Sequence, residues 1–377
     1  MTVEPPEMLS YRPALRPEVL ISPPLLRAAA TVHLIKDPRS GASFEVGTKE
    51  HFLLSRLDGG RTLQDIGTEY AHSFGKRLGE ANWQQLLGLL GSRGLLAGAP
   101  AREPEQTAAG TGTGMVTGNL LKGRVRMVAD AGATSDRLHR LLRPVLRAWV
   151  LLPLLALTVV MEALLVTRAG ELASDTWWLL KQPVPLLAVC VAIWFSIAVH
   201  ELAHGVAARR YGATVSEIGL RWSLPMAIMY CTVDDYLYLR RRRHQLTIAG
   251  AGAFVNLVLL LPAAAWWWAL PQDDSTRRVL SGLLLLGSVQ ALANLLPLPP
   301  LDGYAMLSHA LRISGYAPES GRYLRLRMRD RAAAASYPRR ARTLYTAYGI
   351  GSAVLVCILL AGLMTTAYLL LFSPSSS

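Results

Sequence analysis

Cysteine is nearly absent. The 377 residues hold three, Cys190, Cys231 and Cys357, far apart and with no Cys-x-x-Cys pair. Neither a disulfide scaffold nor a thiolate metal site fits that spacing. Charge is scarce too, at 17% of residues against about 25% in typical soluble domains. Apolar residues reach 51%, too many for a disordered or fibrous chain. Met1 to Pro13 has no apolar run but three prolines and two glutamates, so no cleavable signal peptide is expected and the N-terminus should stay cytoplasmic. No internal repeat of the transporter kind is visible.

What is abundant is long apolar sequence. Spans are expected at about 149–167, 184–207, 246–270, 279–299 and 346–372, each long enough to cross a hydrocarbon core of about 30 Å. The net charge of +13 could suggest nucleic acid, but its location argues against that partner. Seven Lys and Arg fall in the 208–245 loop and nine in the 300–345 loop, against two each in the 168–183 and 271–278 loops. This alternation puts the N-terminus inside and the C-terminus outside a cell membrane, with Trp177, Trp178 and Trp266 to Trp268 at the outer interface. The expected fold is mainly α: a polytopic helical membrane protein of about five spans with a small α+β, winged-helix-like N-terminal domain.

The front of the chain divides by composition. Residues 1–30 read as an extended, proline-rich segment and 31–98 as a folded domain. Thr31 to Ile35 and Ala42 to Val46 flank the turn cluster Asp37-Pro38-Arg39-Ser40-Gly41, which predicts a hairpin. Helical periodicity follows over Lys49 to Leu57, Leu63 to Phe74 and Glu80 to Arg93, with Thr62 a predicted N-cap. Residues 99–118 read as a flexible linker and 119–148 as a basic amphipathic juxtamembrane segment. The membrane domain then runs over 149–372.

The strongest chemical signal is His200-Glu201-Leu202-Ala203-His204. On a helix, residues four apart share a face, so both imidazoles can reach one zinc ion. Glu201, one residue round, is placed to act as general base without ligating the metal. Two interfacial histidines at a helix end would be the bland account, but ionisable groups closing an apolar span are costly and usually functional. A zinc site needs a third protein ligand. Glu217 lies nearest downstream but in a loop with no supporting pattern. Asp302, in Asn294-Leu-Leu-Pro-Leu-Pro-Pro-Leu-Asp302-Gly303, ends a span that runs in the same direction as the His200 span. It therefore falls at the same depth near the cytoplasmic face.

These residues resemble the site-2 protease family of intramembrane zinc metalloproteases, through His-Glu-x-x-His at 200–204 and Asn-x-x-Pro-x-x-x-Leu-Asp-Gly at 294–303. The resemblance implies one Zn2+ per chain, ligated by His200, His204 and Asp302, with Glu201 catalytic. Gly252-Ala-Phe-Val-Asn256 is similar to a further family element, with Ala253 where the family has proline. By that analogy Asn256 binds substrate backbone or the developing oxyanion; an ordinary interhelical hydrogen bond is the equal alternative. Asn294 either serves similarly or caps an unwound segment. Ser223 to Leu239 resembles the membrane-associated hairpin that pairs with an extended substrate in such proteases, against the alternative of a plain cytoplasmic loop.

The 31–98 domain, with its Leu57-Asp-Gly-Gly-Arg-Thr-Leu63 phrase, resembles the PqqD-like peptide-recognition domain. That likeness implies a leader peptide added as a strand to the hairpin sheet, at an edge around Thr31, Val32, His33, Leu34 and Ile35 and around Ala42 to Val46. The expected function is a membrane zinc endopeptidase that removes the leader of a ribosomally synthesised, modified peptide. The partners are then a peptide or membrane-protein substrate and the bilayer. The alternatives are a regulatory protease cutting a transmembrane signalling protein and a non-catalytic peptide-binding partner for export.

Overall fold

The structure is a computed structural model that describes residues 7–98, 116–119, 121–223 and 226–372. Residues 1–6 of the expected N-terminal segment, 99–115 of the expected linker and the 373–377 tail lie outside the described residues. The chain forms two compact units: residues 1–111 with 312–348, and residues 112–311 with 349–377.

The first unit begins with α1 (Glu7–Ser10), β1 (Leu20–Ile21), β2 (Leu25–Arg27), β3 (Ala30–Lys36) and β4 (Ser43–Gly47). The expected hairpin is β3–β4, with Lys36 opposite Ser43. Its turn is set by Asp37, whose side chain accepts from the Arg39 N–H and the Ser40 hydroxyl, and by Gly41 at φ +71°. Then come α2 (Thr48–Leu54), α3 (Leu63–Phe74) and α4 (Glu80–Ser92). Thr62 caps α3 reciprocally with Asp65, as its sequence position predicts. Leu63, Ile66, Trp83 and Leu95 pack with Ile35 into the core of this unit.

One expectation needs correcting. β3 pairs with β4 along one edge and with β1 and β2 along the other. Thr31 to Ile35 are therefore an interior strand with no open edge for a peptide. The cause is residues 20–27, which read as extended and in fact fold back onto the sheet.

The second unit opens with β5 (Val116–Gly118), β6 (Lys122–Arg126) and α5 (Ala131–Leu142), so the 119–148 stretch holds a strand and a helix. It continues through α6 (Ala148–Thr167), α7 (Ala169–Leu179), α8 (Pro183–Arg210), β7 (Val215–Ser223), β8 (Met226–Val233), α9 (Arg242–Ala269), α10 (Ser275–Ala293) and α11 (Asp302–Leu311). The strands form one antiparallel sheet in the order β5-β6-β7-β8. The hairpin anticipated at 223–239 is thus real but starts earlier, at Val215. The remaining helices are α12 (Tyr316–Arg329), α13 (Arg331–Ala335) and α14 (Arg339–Phe372). In the first unit, Leu26 bridges Ile313 in parallel, and the Tyr345 hydroxyl donates to the Ala28 carbonyl at 3.1 Å.

Among the described residues, four helices are long and apolar enough to span a membrane: Ala148–Thr167, Pro183–Arg210, Arg242–Ala269 and Arg339–Thr365. The expected fourth of five, α10, is helical but falls short of that measure. Its Ser281, Gly282, Gly287 and Ser288 are buried against neighbouring protein, where small polar residues let helices approach closely. Glu162 in α6 accepts a hydrogen bond from Ser288 of α10 at 2.8 Å. Trp267, expected at an outer interface, instead turns inward at 1% exposure and donates to the Ser281 hydroxyl.

Buried Arg277 fastens this end of the unit. It donates to Glu171 at 2.8 and 3.0 Å and to the carbonyls of Trp267 and Leu270. Removing one partner of a buried pair leaves the other charge uncompensated. Glu171→Ala is expected to destabilise the protein by about 3 kcal/mol, read as a lowered unfolding temperature in detergent.

Candidate metal centre

Helix α8 places His200 and His204 one turn apart, with ring centroids 4.8 Å apart and the rings nearly perpendicular. Their Nε2 atoms are 3.2 Å from each other. Asp302, the first residue of α11, brings Oδ2 to 3.1 Å from His200 Nε2 and Oδ1 to 3.4 Å from His204 Nε2. Among the described residues this is the one group of three or more His, Cys, Asp or Glu whose donor atoms lie close enough to hold a metal ion, all within 4.8 Å.

The donor set fits zinc. Two imidazole nitrogens and one carboxylate leave a fourth tetrahedral position open, as in catalytic rather than structural sites. His204 donates from Nδ1 to the Ile248 carbonyl at 2.7 Å, which leaves the Nε2 lone pair facing the cluster. Asp302 Oδ2 is buried and outside hydrogen-bond geometry with any group, a cost that a bound cation removes. Burial raises the Asp302 pKa, but the adjacent His200 and His204 imidazoles outweigh it and hold the carboxyl down at about 2. Asp302 is therefore a carboxylate throughout the physiological range.

The backbone fixes where these side chains stand. The Gly303 N–H donates to the Asn294 carbonyl at 2.8 Å, closing the 294–303 loop on itself. A Cβ on Gly303 would collide with the Leu295 carbonyl oxygen, so only glycine lets α11 start this close to the end of α10. The Asn-to-Gly spacing of the motif is a loop closure that aims Asp302. Asn294, expected at the substrate, contributes its backbone here. On the other side, a Cβ on Gly252 of α9 would stand 2.5 Å from three atoms of the His200 ring. Glycine there admits the imidazole.

Glu201 is half-buried and lies beside Cys231 of β8. The Cys231 thiol is pushed up to about 12, by burial first and by Glu201 second, and it lies outside the His-His-Asp group. Glu217, paired with Arg124 at 3.8 Å, belongs to β7 and not to the cluster.

Asn256, for which an oxyanion role and an interhelical hydrogen bond are the two expectations, makes interhelical hydrogen bonds. It is 1% exposed and stands behind His200, with Nδ2 3.0 Å from Nδ1, the ring nitrogen turned away from the cluster. Ser196 and Gln290, which sequence reasoning did not single out, complete its surroundings at 2.9 and 3.2 Å. Helical spacing could have found Ser196, which lies four residues before His200 on the same face.

Residues 188–273 match the model of peptidase family M50. The match includes His200, Glu201, His204, Gly252 and Asn256 and ends before Asp302. An uncharacterized protein of Methanocaldococcus jannaschii is 28% identical over 96 residues, which cover 25% of this chain and 26% of that protein. The matched stretch is thus about a quarter of the relative's length. No solved structure matches.

Zinc content checks the centre directly. Wild type purified in detergent should hold about one zinc per chain, and Asp302→Ala well under half of that. Gly252→Ala keeps all three ligands yet should also lose zinc, because the new methyl displaces the His200 ring. A histidine pair on one helix, a carboxylate aimed by a closed loop and the family match agree: over residues 188–273 the chain is similar to peptidase family M50, and its His-His-Asp cluster fits a zinc site within a multi-span helical protein.

Proposed function

We propose that this chain is an integral-membrane zinc endopeptidase. The observation that carries the reading is the convergence of His200, His204 and Asp302 beside Glu201. Zinc held by those three ligands supplies Lewis-acid polarisation of the scissile carbonyl and a water acidified to a pKa of about 7. Glu201 accepts a proton from the attacking water and returns it to the leaving amine nitrogen.

Substrate enters as an extended strand. Among the described residues β8 pairs only with β7, and Trp194 of α8 pins it by donating to the Ala227 carbonyl at 3.1 Å. A peptide added along β8 would run past Glu201 with its backbone hydrogen-bonded and little demand on its side chains. The Arg-rich ends of α8 and α9 support an active site near the cytoplasmic face and a cytoplasmic N-terminus.

The finer reading is leader removal from a ribosomally synthesised peptide precursor. It draws on the first unit, where β4 (Ser43 to Gly47) pairs only with β3 among the described strands. Of the two stretches expected to offer an edge, Ala42 to Val46, which lies largely in β4, is the one where a leader could add. The rival substrate is the helical segment of a membrane signalling protein.

Glu201→Gln separates chemistry from binding. It should retain zinc at the wild-type level and lose at least 100-fold in cleavage of fluorescein-labelled casein. Undiminished cleavage would refute the role of Glu201. In proteoliposomes, cutting an unstructured thirty-residue peptide while sparing a single-span helix supports precursor maturation; the reverse preference supports the regulatory protease.

A further inference from the structure

The two histidines are held from behind in different ways. His204 gives its Nδ1 proton to a backbone carbonyl, that of Ile248, which no substitution removes. His200 instead meets a side chain, Asn256, at 3.0 Å. Asn256 is in turn engaged by the Ser196 hydroxyl, which donates to Oδ1 at 2.9 Å, and by Gln290 Oε1, which accepts from Nδ2 at 3.2 Å. Three helices, α8, α9 and α10, each supply one member of this chain, and it ends on the metal ligand.

An imidazole that binds a cation through Nε2 must carry its proton on Nδ1, and that proton needs an acceptor. In the structure Asn256 presents Nδ2 to Nδ1, which suits the tautomer protonated on Nε2. A half-turn of both amides reverses every donor and acceptor. His200 Nδ1–H then donates to Asn256 Oδ1, Gln290 Nε2–H donates to the same oxygen, and Asn256 Nδ2–H donates to Ser196 Oγ. A hydroxyl both donates and accepts, so the network closes in either sense. Only the second sense turns the His200 lone pair toward His204 and Asp302.

We infer that Asn256, backed by Gln290 and Ser196, is the positioning residue that sets the His200 tautomer for metal binding. This inference rests on the zinc-protease reading. It places Asn256 one residue removed from the metal, with no contact to substrate.

The test is the zinc dissociation constant of the detergent-purified full chain, measured by chelator competition, with unfolding of the zinc-stripped protein as the folding control. Losing such a partner weakens metal binding about 10- to 100-fold, and that loss is expected for Asn256→Leu. Asn256→Asp keeps an acceptor at Nδ1 and should bind within a few-fold of wild type. A merely structural role would not be rescued by the carboxylate. Wild-type affinity in Asn256→Leu, or equal weakness in both variants, overturns the inference. If Asn256→Leu does not fold, half-buried Gln290→Leu carries the test: severalfold weaker zinc supports the inference and unchanged zinc overturns it. A folded wild type without zinc would instead refute the protease reading on which the inference stands.

Discussion

Two imidazole nitrogens and a carboxylate within 3.4 Å of one another, ringed by apolar helices, form a cluster that water cannot relieve. Lone pairs crowded at such distances are costly without a cation between them. The surrounding structure is organised to sustain that crowding. Gly252 removes the side chain that would push His200 back, and Gly303 removes the one that would hold Asp302 away. The Asn294 carbonyl and the Ile248 carbonyl anchor the loop and His204 through main-chain bonds. Precision here comes from backbone geometry, which tolerates little drift.

The sheet of the second unit extends this logic to the substrate side. Its last strand, β8, is tied to helix α8, which carries His200 and His204, by the bond from Trp194 to the Ala227 carbonyl. On the proposed reading, a substrate backbone added along β8 would be oriented against Glu201, and orientation of reacting groups is a large share of catalytic rate.

The zinc ligands were legible in the sequence because each obeys a local rule. His200 and His204 obey the four-residue helical spacing, and Asp302 sits in a loop whose Pro and Gly punctuation marks a chain reversal. The roles of Asn256 and Asn294 were not legible, since a motif gives a residue's position but not the direction its side chain takes from the helix. The interior standing of β3 was hidden because short strands in proline-rich sequence, here residues 20–27, have no periodicity to reveal them. The span expected at 279–299 is a helix, α10, that falls short of the apolar measure the other four meet, because its serines and glycines face neighbouring protein.

The Leu26 to Ile313 bridge and the Tyr345 bond to Ala28 have a consequence for topology. They join two stretches of one compact unit, so both stretches lie on the same side of the bilayer. Three of the apolar candidate spans, α6, α8 and α9, separate them in sequence. Three crossings would strand the two stretches on opposite sides, so the number of traverses between them is even. Helix α10, which is not among the apolar candidate spans, is the remaining long helix between the two stretches, and a fourth traverse would have to use it.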